Sequence, residues 1–144
     1  LKANNTVEIN NVLSGEVWFC SGQSNMDFYL KQLRKSNPKR TLPEDAITAE
    51  YINKEVTTAA DDQLRQFEVQ KNTSPFEPLN TLNGNWLISS PKTNDNFSAT
   101  AYFFARELRK ELKVPVGIIK CAWGGTRVEP WIPVEQYQKD QDIN

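Results

Sequence analysis

Apolar and polar positions alternate at the start of the stretch Thr6 to Leu13, a two-residue period that predicts a strand. Ser14-Gly15 breaks the pattern. Glu16-Val-Trp-Phe-Cys20 follows as a short run of β-forming residues with glycine on both sides, and it predicts a buried strand. The pattern then weakens. Two helices are expected, near 26–35 and 44–59, with Asn37-Pro38 and Leu42-Pro43 as breaks, since proline lacks the amide donor a helix needs. Leu64 to Val69 alternates weakly and reads as a second main strand, whereas residues 72–96 are rich in Asn, Pro, Ser and Thr and read as a long loop anchored by Trp86.

The clearest signal comes next. Ser98 is a good N-cap, and Phe97 before it is placed to staple onto Tyr102. Ala101, Phe104, Ala105, Leu108 and Leu112 then recur at helical spacing, with charged residues around the other face, until Pro115 stops the helix. Val116-Gly-Ile-Ile-Lys-Cys-Ala122 is a third apolar run and predicts another buried strand. Strands that alternate with helices argue for an α/β fold built on a parallel sheet. The common doubly wound order 2-1-3 would put the strands at 16–20 and 116–122 side by side.

Composition narrows the function. The 144 residues suit one domain, and 17 basic against 18 acidic residues leave a net charge of −1. That balance argues against nucleic acid or a membrane surface as partner, and the basic run Lys31–Lys35 with Lys39-Arg40 reads as solvated surface. No apolar run approaches the roughly 20 residues of a membrane span. Two cysteines make no disulfide framework, and no Cys/His spacing suggests a metal site. Cys20 and Cys121 read as buried free thiols. The chain opens on Leu1, so its natural start is expected upstream. It contains no histidine, the usual general base near neutral pH, and any hydrolytic reading must answer that.

Two turns leave the carboxyl ends of predicted strands. Ser21-Gly-Gln-Ser-Asn-Met26 places Ser24 where a nucleophile elbow would hold it, although the same residues suit a polar turn capping a helix. Trp123-Gly-Gly-Thr-Arg127 offers two unencumbered glycine amides, although a tight turn that needs positive φ has the same look. At the switch point of the expected sheet they would face each other, nucleophile opposite oxyanion donor. Gln23, Asn25, Trp123 and Arg127 are candidates to line that crevice. Arg127 suits an acidic sugar and equally an ion pair with Glu129. Trp18 reads as core, and Asp27 as a helper of the turn without a proton-carrying role.

The stretch Val17-Trp-Phe-Cys-Ser-Gly-Gln-Ser-Asn-Met26 resembles the nucleophile block of the sialate O-acetylesterase family, within the SGNH hydrolases. Gly117-Ile-Ile-Lys-Cys-Ala-Trp-Gly-Gly-Thr-Arg-Val-Glu-Pro-Trp131 resembles its second block, and the likeness spans about 15–133. The resemblance implies a flavodoxin-like three-layer α/β/α fold with a parallel sheet, of which this chain is the N-terminal part. Residues 14–144 would belong to the esterase domain and residues 1–13 to the end of a preceding β-rich region. The implied activity is removal of O-acetyl groups from carbohydrate, sialic acid foremost, with neither metal nor cofactor. Ser24 matches the nucleophile and one oxyanion donor, and Gly124 or Gly125 the second donor, with Gly124 slightly favoured. Glu129 and Trp131 match a part of the second block where a structural role is expected. A third block and an Asp-x-x-His pair, which supply the remaining donor and the acid and base, do not occur in residues 1–144. The remaining C-terminal part of the domain is therefore the expected partner, and a secreted or periplasmic location follows from the resemblance alone. Two rivals stand beside it: an acetylxylan-type esterase, and a non-catalytic sugar-binding domain that lacks the base.

Overall fold

The computed structural model describes residues 5–34, 43–74 and 77–139, with the side chains at 43–48 and 137 left aside. Asn37-Pro38 and Lys39-Arg40 lie outside the described residues. The elements are β1 (Glu16–Gly22), α1 (Leu30–Leu33), α2 (Pro43–Thr58), β2 (Asp61–Glu68), β3 (Trp86–Ser89), α3 (Ala99–Leu112), β4 (Val116–Ala122) and the short α4 (Val134–Tyr137). Three-residue 3-10 turns at Asn94–Asn96 and Glu129–Trp131 link them. No described helix is long and apolar enough to cross a membrane.

The four strands form one mixed sheet in the order β1-β4-β2-β3. β4 runs parallel to both β1 and β2, and β3 runs antiparallel to β2. The fold is α/β, as the sequence pattern predicts. The 2-1-3 order is corrected, however: the second main strand pairs with β4 and not with β1. The chain passes β4's slot through α1 and α2, then returns to fill it after α3. Sequential strands usually neighbour one another, and that regularity misled the expected order. Adjacency of β1 and β4 survives, in register from Glu16 opposite Val116 to Gly22 opposite Ala122. Their common start needs a residue without a side chain at Gly15, where a Cβ would lie 2.1 Å from the Pro115 carbonyl oxygen.

Side chains two apart along a strand share a face. Val116, Ile118, Lys120 and Ala122 of β4 point to the face that α2 and α3 cover, with Leu64 and Gln66 of β2 and Cys20 of β1. Ile52 and Val56 of α2, and Tyr102 and Ala105 of α3, complete that core. α3 starts as the sequence predicts: Ser98 accepts from the Ala101 amide at 3.3 Å, and the Phe97 and Tyr102 rings meet edge to face at 6.1 Å. Lys113 in the left-handed conformation closes it. Val17, Phe19 and Trp86 stay exposed on the other face. Cys20 and Cys121 face opposite sides, since Cys20 pairs with Lys120 and Cys121 with Ser21.

Other expectations need correction. Residues 6–13 form no strand: apart from a single bridge position at Thr6 they are irregular and exposed, and Arg65 donates to the Asn11 carbonyl at 2.7 Å. β1 is not buried: Trp18 keeps 40% of its surface exposed and rests edge-on against Phe104 of α3. The helix expected near 26–35 shrinks to α1. The loop at 72–96 gives up a strand, β3, at its end. Trp86 does anchor it, packing on Phe67 with ring centroids 5.6 Å apart and covering Gly117.

Candidate active site

Because β1 and β4 are parallel and in register, they end together. The Trp123 amide donates to the Gly22 carbonyl at 3.2 Å, just past the last strand pair. The turns holding Ser24 and the two glycines thus leave one edge of the sheet from paired residues, at the carboxyl ends of the strands where α/β sheets bind ligands. Ser24 is exposed, in a single turn closed by the Asp27 amide on the Gln23 carbonyl at 2.8 Å. The chain does not run straight on into a helix as a nucleophile elbow would. Tyr29 first forms an isolated bridge with Ser98, and α1 begins at Leu30.

The glycines divide their work. A Cβ on Gly124 would lie 3.5 Å from Ser24 Cα and 3.6 Å from Ser24 Oγ, so the β4 turn and the serine turn are in contact there. Gly125 has φ +81°, the left-handed region that a side chain disfavours. The Gly124 amide donates to Asp27 Oδ2 at 2.9 Å. The amides of Ser24 and Gly125 have no hydrogen-bond partner among the described residues. They stand at the edge where an oxyanion would need donors.

Further contacts fix the two turns. Gln23 Nε2 donates to the Thr126 carbonyl, tying the serine turn to the glycine turn. The Asn25 carbonyl accepts from Thr100 Oγ1 at 2.9 Å, fastening the serine turn to the start of α3. Trp131 Nε1 donates to Thr126 Oγ1, which in turn donates to the Trp123 carbonyl, so Trp131 braces the glycine turn. Trp123 is half-buried, with the Lys71 ammonium 6.0 Å from its ring centre. Arg127 is exposed and, among the described residues, makes no ion pair with Glu129 or any other carboxylate.

Beneath the turns lies a charged cluster. Lys120, 1% exposed, donates from Nζ to Asp27 Oδ1 at 2.9 Å, Glu68 Oε1 at 2.8 Å and the Tyr29 hydroxyl at 2.9 Å. Asp27 Oδ2 accepts from Lys71 Nζ at 2.6 Å as well as from Gly124. Two ammonium groups thus meet two carboxylates. Burial alone would raise the Asp27 pKa, but hydrogen bonds from Lys71, Gly124 and Lys120 outweigh it and bring it down to about 2. For Lys120 burial works toward the neutral form, and hydrogen bonds to Glu68, Tyr29 and Asp27 reverse that and raise its pKa above the ordinary lysine value. A buried charge left without its partners would be costly, so the cluster holds as a unit. Among the described residues no three His, Cys, Asp or Glu side chains are grouped to hold a metal ion.

Comparison with known proteins decides the family. The sequence profile of the carbohydrate esterase, sialic acid-specific acetylesterase family matches residues 14–141. The chain belongs to this family. It is 33% identical to human sialate O-acetylesterase over 138 residues, 90% of this chain and 23% of that protein. The rat enzyme of the same name is 34% identical over 136 residues, 89% of this chain and 22% of the relative. Among solved structures, a carbohydrate acetylesterase from Xanthomonas citri superposes with a TM-score of 0.69 at 34% identity, over 90% of this chain and 26% of that one. The chain therefore spans about a quarter of the length of the acetylesterases it matches.

The sequence pattern marks both turns and misses most of the cluster beneath them. Lys120 carried a signal: a lysine in an apolar strand, on the same face as Val116, Ile118 and Ala122 by the two-residue period. Asp27, read as a helper of the turn, is the acceptor that joins the two turns. Glu68, Tyr29 and Lys71 have no local pattern that marks them, because only the paired strands bring Glu68 and Tyr29 to Lys120 and Lys71 to Asp27.

Proposed function

We propose that this chain carries the nucleophile half of a carbohydrate O-acetylesterase site. Ser24 Oγ attacks the acetyl carbonyl of an acetylated sugar, the sugar hydroxyl leaves, and water then hydrolyses the acyl-enzyme. The Ser24 amide and a glycine amide of the Gly124-Gly125 turn stabilise the oxyanion, and Gly125 has the open N–H. The observation that carries the reading is the contact between the two turns, with Ser24 Oγ 3.6 Å from where a Gly124 Cβ would stand. No histidine occurs among the 144 residues. A serine hydroxyl is a poor nucleophile without a base, so an Asp-x-x-His-like pair from outside these residues takes its proton. Sialic acid is the first substrate to try, on the strength of the family and its relatives' names, with acetylated xylan as the alternative.

One assay series tests this: acetyl-ester hydrolysis by the full-length protein, its Ser24→Ala variant and the purified 144-residue chain. Full-length protein is expected to turn over. The variant and the short chain should fall by at least about a thousandfold, the scale on which losing a triad member acts. Turnover retained in Ser24→Ala would place the nucleophile elsewhere. Equal activity in the short chain would show that the base is already within it.

A further inference from the structure

Asp27 and Gln23 both tie the serine turn to the glycine turn, Gln23 through the Thr126 carbonyl and Asp27 through the Gly124 amide beside Ser24. The Asp27 carboxylate has three donors to satisfy with two oxygens: Lys120 at 2.9 Å on Oδ1, and Lys71 at 2.6 Å and the Gly124 amide at 2.9 Å on Oδ2. Its own amide closes the turn that presents Ser24. Lys120 is anchored independently by Glu68 and Tyr29, with the Tyr29 ring centre 4.1 Å from Nζ, so the carboxylate is oriented from below by a fixed ammonium. Orientation matters here because the Gly124 amide aims at Asp27. That leaves the next amide in the turn, at Gly125, without a hydrogen-bond partner among the described residues. Without the carboxylate, the glycine turn has lost the acceptor that sets its height against Ser24.

We infer that Asp27, held by Lys120 and Lys71, is a positioning residue for the proposed deacetylation, fixing the Gly124-Gly125 turn as an oxyanion donor beside Ser24. It rests on the acetylesterase reading above. Asp27 carries no proton in the reaction. It stays ionised through the neutral range, and its two oxygens are already occupied by three donors. Displacement of donor groups by about 1 Å costs on the order of a hundredfold in rate, and loss of one oxyanion donor costs a hundred- to a thousandfold.

The test uses full-length protein and a small acetyl ester, with Asp27→Asn beside Ser24→Ala. Asparagine keeps the volume but offers one oxygen to three donors, and the two ammonium groups outcompete a neutral amide for it. Asp27→Asn is expected to lower kcat by about ten- to a hundredfold. KM should stay within about twofold, and the acid limb of the kcat–pH profile should keep its midpoint, since that limb belongs to the base. If kcat per folded molecule stays within about twofold of the parent, the inference is overturned. A loss seen in KM alone would make Asp27 a substrate binder, and a shifted acid limb would make it a proton carrier; either outcome also overturns it. Where Asp27→Asn strands the Lys120 ammonium and fails to fold, the neutral pair D27N/K120M is read in its place by the same criteria. Turnover lost in Ser24→Ala but parental in Asp27→Asn sinks this inference alone. Turnover kept in Ser24→Ala sinks the reading of the site and this inference together.

Discussion

The two faces of the sheet are built from the same strands and behave as different materials. On the helix-covered face, Leu64, Val116 and Ile118 are almost fully buried, and Lys120 is buried among them with three acceptors in reach of its ammonium. On the other face Val17, Phe19 and Trp86 are exposed, and the Phe67 and Ile119 side chains between them are only half-buried. The residue types on the bare face are as apolar as those in the core. What differs is the cover: α2 and α3 shut water out of one face, and the strands of the other keep much of their apolar surface in water. Burial stabilises only where water is removed. A charge can sit on the covered face because partners meet it there, and the turns above it inherit that rigidity.

The contrast is broken most severely at Phe97. This ring is fully buried, joins Tyr102 edge to face, and its carbonyl accepts the Leu30 amide at 3.0 Å. Phe97→Ala removes the ring from the junction of α1, α3 and the covered face. It is expected to cost about 3–5 kcal/mol, a large part of the roughly 5–15 kcal/mol that holds a domain together. Urea denaturation of the chain followed by circular dichroism measures it. A loss below about 1 kcal/mol would mean that the covered face is not the core.

A smaller effect sharpens the electrostatic side. Asp27 has its folded pKa depressed to about 2 from an ordinary 3.8. A depressed carboxylate contributes stability that is fully present above the unfolded pKa and fades as pH falls through the folded one. The contribution therefore holds at neutral pH and disappears between about 4 and 2, with a size on the order of 1 kcal/mol. Stability curves at several pH values should show the parent losing its advantage over Asp27→Asn across that window. Parallel curves would mean that Asp27 titrates as it does in the unfolded chain.

What could be read from the sequence follows the range of the interactions. α3 was legible in detail, because its cap, staple and apolar stripe lie within one segment and each reports on the same local geometry. β4 was legible to the residue for a similar reason. The strand order was not, since nothing local distinguishes a chain that enters the slot beside β1 at once from one that passes it and comes back. The two turns stood out as a pair, because each alone also suits an ordinary polar or tight turn, whereas both at the ends of strands expected to be neighbours suit one site. The cluster beneath them escaped because Asp27, the Glu68–Lys71 stretch and Lys120 come from three separate segments and meet only after β4 pairs with β1 and β2. β1 shows the opposite failure. Its composition predicts burial, but composition cannot tell which face another element will cover.

The smallest predicted effect lies on the bare face and asks whether it is bare in solution. Phe19 sits on edge strand β1 with 66% of its surface exposed. A side chain that water already reaches loses little when it becomes polar, so Phe19→Ser in the 144-residue chain should change stability by less than about 0.5 kcal/mol. Serine also has a weaker strand preference than phenylalanine, but that difference spans about 1 kcal/mol at most across all residue types and shrinks at an edge. The same urea experiment decides it, run at two protein concentrations at least tenfold apart. The expected result is a midpoint that matches the parent at both. A cost of about 2 kcal/mol, the scale of burying a large apolar side chain, would mean that Phe19 is covered. If that cost grew with concentration, the cover would be a second copy of this chain.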